Sequence, residues 1–242
     1  MKDVDVSRKK LTVKLTVIFV KKKDAARRLP KKNTIDVLKK MKIKICGLRD
    51  NFDEVLALNP DFVGMIFYPK SPRYAGDCQD ERLRRKLTDT KKVGVFVDAD
   101  YQTIIRTAGE FHLDAVQLHG SESPQLCEFL QQDFVVIKAF SIATTEDLAK
   151  LEAYEGVVDY FLFDTKTPGY GGSGQKFDWQ ILRSAQIKTP FLLSGGISLD
   201  DVPTIKSLSI SNLVGVDLNS KFETAPAVKD IAKLSEFMNE IM

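Results

Sequence analysis

Short apolar runs alternate with amphipathic segments along the chain from Met41 to Met242. Each run is about four to six residues long, and successive runs begin roughly 20–30 residues apart, which is the spacing of βα units. Eight such units in about 200 residues predict a closed parallel barrel of the (βα)8, or TIM-barrel, type within the α/β class. The eight predicted strands are Ile43–Cys46, Phe62–Phe67, Lys92–Val97, Ala115–Leu118, Val135–Ala139, Tyr160–Asp164, Phe191–Ser194 and Val214–Asp217.

Helix-start signals follow several of these strands. Ser123 followed by Pro124 predicts an N-cap with proline at the first helical position. Two further sites have the three-residue spacing of a capping box, with Asp in place of the usual Glu; they are Thr144 with Asp147 and Ser198 with Asp201. Asp50 precedes the first predicted helix, with Asp53 in its first turn, and Asp178 can cap the sixth helix. The last helix is predicted from an apolar stripe at spacings of three and four, made of Val228, Ile231, Leu234, Met238 and Ile241.

The sixth strand ends in a carboxylate that is followed by a glycine-rich loop. Asp164 closes the apolar run, and four glycines follow before a new helical pattern begins at Phe177. Glycine lets a loop fold closely over a ligand. An acidic strand end with such a loop is typical of the ligand-binding edge of a barrel. The loop glycines are Gly169, Gly171, Gly172 and Gly174.

Other strand ends also carry reactive or polar residues, and in a barrel these ends meet on one face. Because side chains alternate along a strand, Cys46 and Lys44 are predicted to point into the barrel while Ile43 and Ile45 face the helices. An ammonium lowers the pKa of a nearby thiol, so Cys46 is a candidate general base, although a buried core thiol is the commoner fate of cysteine. The remaining strand-end candidates are Arg73, Asp98, His119, Asp164 and Asp217.

The ends of strands seven and eight predict a phosphate site. Ser194-Gly195-Gly196 follows the seventh strand, and Asn219-Ser220 follows the eighth. Barrels often bind phosphate there through backbone N–H groups and a helix start. A tight turn would explain the Gly-Gly pair alone, but the two loops together favour phosphate.

Composition indicates one large domain with an unusual beginning. Residues 1–40 contain 14 Lys/Arg and 4 Asp/Glu, whereas the rest of the chain contains 22 and 29. The acidic body, residues 41–242, gives no indication of nucleic-acid binding. We interpret residues 1–40 as a basic, nonessential extension of the barrel, residues 41–242. An organellar presequence and a basic arm for nucleic acid or membrane stay open for this segment.

Cysteine and histidine usage argues against a disulfide framework and a metal site. The three cysteines, Cys46, Cys78 and Cys127, form no CxxC, and the two histidines have no metal-binding spacing. Free thiols favour a reducing compartment, and we expect a cytoplasmic protein. No apolar run reaches the roughly 20 residues that span a membrane.

In order along the chain, these motifs resemble the phosphoribosylanthranilate isomerase family of tryptophan biosynthesis, a family of phosphate-binding (βα)8 barrels. The resemblance extends from Met41 to the end and leaves residues 1–40 outside. The matching segments are Lys44–Gly47, Tyr68–Tyr74, Val93–Val97, Val116–Gly120, Asp164–Trp179 and Leu193–Gly196. After strand eight the family usually reads Val-Asp-Val-Ser-Ser-Gly-Val-Glu, and this chain has Lys221 at the glycine.

The resemblance implies an Amadori rearrangement of N-(5-phosphoribosyl)anthranilate to 1-(2-carboxyphenylamino)-1-deoxyribulose 5-phosphate. It implies that Asp164 is the general acid, Cys46 the general base and Arg73 the partner of the anthranilate carboxylate. No cofactor or metal is implied. The remaining implied residues contact the substrate (His119, Gly172 and Asp217) or its phosphate (Gly195, Gly196, Asn219 and Ser220).

Two alternatives stay open. The related aminoaldose isomerase of histidine synthesis shares fold and reaction type, but it uses carboxylates for both proton transfers. A non-catalytic barrel used as a binding protein is the second. For the isomerase we expect a small phosphorylated substrate, no nucleic-acid or membrane partner, and a monomer or homodimer.

Overall fold

The computed structural model describes residues 40–166 and 176–242. Eight parallel strands close into a barrel in sequence order, which confirms the predicted fold. Seven predicted strands agree to within one residue at each end, and the fifth runs three residues further than predicted. The strands are β1 Lys42–Cys46, β2 Phe62–Ile66, β3 Lys91–Phe96, β4 Ala115–Leu118, β5 Val135–Ile142, β6 Tyr160–Thr165, β7 Phe191–Leu193 and β8 Leu213–Leu218.

The helical segments are less regular than eight βα repeats would give. The α-helices are α1 Phe52–Leu56, α2 Tyr101–Phe111, α3 Pro124–Leu130, α4 Val202–Ser207 and α5 Ile231–Ile241. After β2, β5 and β6 the helical segment is 3-10 in character, with tighter i to i+3 bonds. The 3-10 segments are Glu81–Arg84, Thr145–Tyr154, Trp179–Ser184, Leu199–Asp201 and Ser220–Phe222.

Most predicted helix starts are confirmed. The Ser123 side chain accepts a hydrogen bond from the Leu126 amide, and both capping boxes form. Asp178 likewise accepts from the Gln180 amide. Asp50 precedes α1 and Asp53 lies in its first turn, as predicted, and the Asp50 carboxylate accepts from the Arg49 guanidinium.

The predicted last helix starts too early in the sequence. Val228 belongs to a two-stranded antiparallel hairpin, β9 Glu223–Ala225 and β10 Val228–Lys229, and it pairs with Ala225. Asp230 then caps α5 by accepting a hydrogen bond from the Lys233 amide. The hairpin therefore lies in the loop between β8 and the last helix.

The side-chain alternation predicted for β1 is confirmed. Ile43 and Ile45 join the large apolar core between strands and helices, whereas Lys44 is fully buried inside the barrel. A second, smaller apolar cluster fills the interior, and it consists of Phe62, Val93, Ala115, Ile137, Ala139, Leu162, Leu192 and Val214. Polar side chains follow these residues toward the carboxyl ends of the strands, where a mouth can bind ligand.

None of the helices in residues 40–166 and 176–242 combines the length and the apolar character needed to cross a bilayer.

Candidate active site

The mouth of the barrel brings together the predicted residues of β1, β4, β6 and β8. Lys44 and Asp217 are direct neighbours across the β1–β8 pairing, and their side chains form a buried ion pair with Nζ 2.9 Å from Oδ1. Ser194 Oγ donates to the other oxygen of Asp217 across 3.4 Å. The Asp217 carboxylate therefore joins the end of β7 to β1 and β8.

Cys46 lies at the end of β1 beside this ion pair. A Cβ atom at Gly64, on the adjacent strand, would come within 3.0 Å of Cys46 Sγ and 3.2 Å of Lys44 Nζ. The thiol and the ammonium therefore share the space that Gly64 leaves open. Burial disfavours the Lys44 ammonium, but Asp217 and Cys46 together raise the pKa of Lys44 above its ordinary value, so this side chain is charged.

The electrostatic prediction for Cys46 needs correction. Burial raises the pKa of the Cys46 thiol, and this effect exceeds the lowering by Lys44. The free energy needed to remove the thiolate from water is larger than its attraction to the neighbouring ammonium. Near neutral pH Cys46 is therefore a thiol, and the prediction that Lys44 lowers its pKa below the ordinary value is wrong.

Asp164 is the penultimate residue of β6, on the opposite side of the mouth from β1. Its Oδ1 accepts a hydrogen bond of 2.8 Å from the Thr165 amide, and its side chain is 16% exposed. Burial raises the pKa of Asp164, opposed by the Thr165 amide and by Lys44. A carboxyl group with a raised pKa is suited to hold a proton for donation.

His119 directly follows β4, and its imidazole faces the Asp164 carboxyl group. Its Nε2 is 3.6 Å from Asp164 Oδ2, and its Nδ1 is 3.4 Å from Gln117 Nε2. Burial, with Lys138 and Lys44, lowers the pKa of His119 to about 4. The imidazole is therefore neutral near pH 7 and forms no ion pair with Asp164.

Gln117 was not predicted from the sequence. It precedes His119 by two residues, so both point into the barrel, and its buried Oε1 has no hydrogen-bond partner in the described residues. The period of a strand was the signal that could have identified it.

The two predicted phosphate loops lie at the ends of β7 and β8. Gly195 and Gly196 have φ angles of 87° and 66°, in the left-handed region that favours glycine. A Cβ atom at Gly195 would meet Thr165 Oγ1 at 2.3 Å and Asp164 Oδ1 at 2.9 Å. The Gly-Gly turn is therefore packed directly against the carboxyl group of Asp164.

The Asn219 side chain could cap the helical turn that follows β8, but in the structure it does not. It makes no capping hydrogen bond to the turn that begins at Ser220, and its Oδ1 accepts from Lys229 Nζ at 2.9 Å. Lys221 is exposed, and its φ lies outside the left-handed region. Lysine thus fits this loop without the backbone strain that a glycine position would impose.

Arg73 reaches the mouth from the loop after β2, where it binds Glu223 of β9. Its Nε and Nη2 lie 2.9 Å and 2.6 Å from the Glu223 carboxylate oxygens.

Gly172, the remaining predicted contact, lies outside the described residues. Asp98 Oδ1 accepts hydrogen bonds from the Ser121 amide and hydroxyl, so this side chain joins the loop after β3 to the loop after β4. Among residues 40–166 and 176–242, no three His, Cys, Asp or Glu side chains are grouped as metal ligands.

Comparison with known proteins decides the family. The sequence profile of N-(5'-phosphoribosyl)anthranilate (PRA) isomerase matches residues 43–240. This chain belongs to the PRA isomerase family. The N-(5'-phosphoribosyl)anthranilate isomerase of Parabacteroides distasonis is 47% identical over 210 residues, which cover 84% of this chain and 94% of the relative. That of Phocaeicola vulgatus is 44% identical over 204 residues, covering 83% and 98%.

Solved structures of PRA isomerases have the same barrel. The Thermotoga maritima enzyme superposes with a TM-score of 0.73 at 33% identity, over 83% of this chain and 98% of that one. A second PRA isomerase structure, with a TM-score of 0.71 at 29% identity over the same shares, contains reduced 1-(o-carboxyphenylamino)-1-deoxyribulose 5-phosphate.

Proposed function

We propose that this chain converts N-(5-phosphoribosyl)anthranilate to 1-(2-carboxyphenylamino)-1-deoxyribulose 5-phosphate, an Amadori rearrangement in tryptophan biosynthesis. The observation that carries the proposal is the juxtaposition of Cys46, Asp164 and the two phosphate-type loops at one barrel mouth, in a member of the PRA isomerase family. Each part of the substrate then has a chemically matched partner.

Ring opening is assigned to Asp164. Its carboxyl group protonates the furanose ring oxygen, the C1–O bond breaks, and the anthranilate nitrogen forms an iminium with C1. Burial supports this role because it raises the pKa of the carboxyl group. The close packing of Gly195 against Asp164 supports a fixed position for the donor.

Proton removal from C2 is assigned to Cys46. Its thiolate takes the C2 proton, the electrons of the C–H bond form the C1–C2 double bond, and the iminium nitrogen becomes neutral. The resulting enolamine then tautomerises to the aminoketose. The raised pKa of free Cys46 is compatible with this step, because the iminium brings a positive charge that favours a nearby thiolate.

The two anionic ends of the substrate are assigned to separate groups. Arg73 binds the anthranilate carboxylate, and the phosphate lies on the backbone of Gly195 and Gly196 and on Asn219 and Ser220. We assign substrate hydroxyl contacts to Asp217 and the neutral His119, and Gly172 stays a predicted contact. The substrate nitrogen is itself the electron sink, so the proposed reaction uses no cofactor.

The setting of the enzyme is also a proposal. We place the barrel of residues 41–242 as the catalytic domain in the cytoplasm, consistent with the three free cysteines. The Thermotoga maritima relative is described as dimeric, and we propose a monomer or homodimer here. Its mass by light scattering decides between the two.

The decisive experiment follows the anthranilate fluorescence of the substrate. Purified chain is added to N-(5-phosphoribosyl)anthranilate, and we expect the fluorescence to be lost at a rate proportional to enzyme concentration, with the ketose product identified by mass and NMR. Chain carrying both Cys46→Ser and Asp164→Asn is the control. A rate equal to that of the control contradicts the proposed function.

A further inference from the structure

Two residues outside the predicted site, Glu223 and Lys229, form a buried bridge at the mouth. Glu223 accepts from Arg73 on one side and from Lys229 Nζ, 2.7 Å away, on the other. Lys229 also donates to Asn219 Oδ1. The side chains of Glu223 and Lys229 are 4% and 0% exposed. Burying charges this deeply is costly, so a pair that only closed a surface hairpin would gain nothing from it.

Glu223 takes only one edge of the Arg73 guanidinium. It binds Nε and Nη2, with distances of 2.6–3.0 Å. A guanidinium has a second edge, formed by Nη1 and Nη2, which can hold another carboxylate in parallel hydrogen bonds. Among residues 40–166 and 176–242, no side chain accepts a hydrogen bond from Arg73 Nη1. Glu223 therefore fixes the plane of Arg73 while one edge stays open to a ligand.

Glu223 is itself held firmly, which argues against its acting as a rival to the substrate carboxylate. Its Oε1 accepts from Lys229 Nζ and from the Ala227 amide at 3.2 Å. Arg73 and Lys229 lower the pKa of Glu223 although burial acts in the opposite direction. A carboxylate with this many donors has little reason to move when a ligand arrives.

Lys229 determines which way the Asn219 amide points. An ammonium group can only donate, so the atom that faces Lys229 must be the amide oxygen. The amide nitrogen is then turned away from Lys229. A hydrogen-bond donor on that side is what the proposed phosphate contact of Asn219 requires. Without Lys229, the amide could rotate and present its oxygen to an anion.

The bridge also borders the catalytic thiol. A Cβ atom at Gly47, the residue after Cys46, would meet both Arg73 Cδ, at 2.6 Å, and Asn219 Oδ1, at 2.7 Å. Arg73 and Asn219 thus both pack against Gly47, next to the proposed base Cys46. Glu223 binds Arg73, Lys229 binds Asn219, and the two bind each other.

We infer that Glu223 and Lys229 are positioning residues that hold the carboxylate-binding edge of Arg73 and the phosphate-binding amide of Asn219 in fixed relation, so that the site selects a sugar phosphate bearing an aromatic carboxylate. The inference rests on the proposed function. Neither residue touches the reacting carbons, so both act on substrate binding and leave the chemical step to Cys46 and Asp164.

The first test compares Glu223→Gln with the parent on two substrates. One is N-(5-phosphoribosyl)anthranilate, and the other is N-(5-phosphoribosyl)aniline, which lacks the carboxylate. We expect KM for the carboxylated substrate to rise about tenfold or more, the scale of a charged hydrogen-bonded contact. KM for the aniline compound and kcat for both should stay within about threefold. In an Arg73→Ala background, Glu223→Gln should have no further effect on KM.

The matched control is Glu110→Gln on the outer surface. Glu110 binds Nε and Nη2 of Arg84, the same guanidinium edge, between two helical segments outside the barrel. It should leave KM for both substrates unchanged. A fall in KM for the carboxylated substrate in Glu223→Gln would show that Glu223 competes with the ligand, and equal changes for both substrates would show a merely structural role. Either result overturns the inference.

Two further variants cover a failure of Glu223→Gln to fold. Arg73→Lys keeps the charge but has no second edge, so we expect it to raise KM for the carboxylated substrate as much as Arg73→Ala does. Lys229→Met should weaken competitive inhibition by inorganic phosphate about fivefold or more. An unchanged inhibition constant, or an Arg73→Lys enzyme with parental KM, contradicts the inference.

Direct binding separates this inference from the proposed function. Calorimetry with inorganic phosphate and with 2-aminobenzoate needs no turnover. If the parent binds both but does not isomerise the substrate, the proposed function fails, and the positioning roles are still decided by the losses in Lys229→Met and Glu223→Gln. If these variants bind both probes as the parent does, the inference fails whatever the activity.

Discussion

Lys44 and Asp217 form a buried ion pair of 2.9 Å that joins the first strand of the barrel to the last, directly below Cys46. The pair keeps one ammonium close to the thiol while its own charge is largely balanced by Asp217. Burial is the main cause of the raised pKa of the Cys46 thiol, and Asp217 adds to it by offsetting part of the lowering by Lys44. We therefore expect Cys46 to ionise only when the iminium of the bound substrate adds a positive charge beside it.

Substituting either proposed proton carrier should abolish most turnover. Cys46→Ser replaces the thiol by a hydroxyl that is too weak an acid to ionise near neutral pH, and Asp164→Asn removes the proton donor while keeping the shape. We expect kcat to fall by about 10²-fold or more in each, the scale of a positioned acid or base. Steady-state assays of the purified variants measure this.

Matched controls exist for both substitutions. Cys127 is a buried free thiol on α3, and Asp159 lies just before β6 and accepts from the Val136 amide through Oδ2. Cys127→Ser and Asp159→Asn should keep parental kcat. If Cys46→Ser and Asp164→Asn both stay within threefold of the parent, the assigned roles are wrong.

The pH dependence of kcat/KM should be bell-shaped. The active form carries one proton on the pair, with Asp164 protonated and Cys46 ionised. As pH falls through the raised pKa of Asp164, above its ordinary 3.8, the pair gains a second proton and the base is lost. As pH rises through the raised pKa of Cys46, above 9.0, the pair loses its last proton and the acid is lost.

The acid and alkaline limbs of the kcat/KM profile give the two pKa values of the coupled Asp164–Cys46 pair in the free enzyme. Initial rates between roughly pH 4 and 10 on a stable enzyme measure them. An alkaline limb well below pH 9, or an acid limb at the ordinary carboxyl value, contradicts the burial argument for these two groups.

How much the sequence could predict depends on how local each signal is. Period-two alternation placed Lys44 inside the barrel and Ile45 outside it, and the structure confirms both. The direction of the Cys46 pKa shift was not predictable in this way, because it depends on how much water all eight strands exclude. The Arg73–Glu223 contact joins residues 150 positions apart, so no spacing rule could indicate it.

Gly195 should be required for stability and activity, because its backbone is left-handed and a side chain there has no room. Gly195→Ala places a side chain at a φ of 87° and drives a Cβ atom to within 2.9 Å of Asp164 Oδ1. We expect a lower melting temperature and a fall in kcat, because the proton donor must shift. The left-handed backbone alone costs about 1–2 kcal/mol.

Gly156→Ala is the control that separates the two causes. Gly156 has a φ of 84°, but a Cβ atom there would meet nothing within 4 Å. It should lower stability by a similar backbone cost and leave kcat unchanged. If Gly195→Ala retains parental kcat, Asp164 is not constrained by this turn in the way we infer.

Deletion of residues 1–40 should leave the barrel folded and active. All eight strands and the helix that follows the last of them lie within residues 42–241. The measurement is thermal melting and specific activity of the truncated protein beside the full chain. A melting temperature lowered by more than about 8 °C, which corresponds to a couple of kcal/mol, shows that the segment stabilises the barrel.

The last prediction concerns Lys221, where the family usually has glycine. The backbone there needs no left-handed angle, and the side chain is exposed beside the loop that contains Asn219 and Ser220. We expect its ammonium to contact the substrate phosphate through charge. Lys221→Gly should then change KM by no more than about tenfold, or roughly 1.4 kcal/mol. The value of kcat should stay near that of the parent, because the phosphate is remote from the reacting carbons.

Salt distinguishes a charge contact from a change in loop backbone. An exposed ion pair is screened by salt, so raising ionic strength should increase KM more steeply in the parent than in Lys221→Gly. Lys221→Met removes the charge without adding glycine flexibility, and it should reproduce the shallower salt dependence of Lys221→Gly. If all three proteins show the same dependence of KM on salt, Lys221 is a solvated loop residue, and the phosphate is held by the Gly195-Gly196 turn and the Asn219 amide without it.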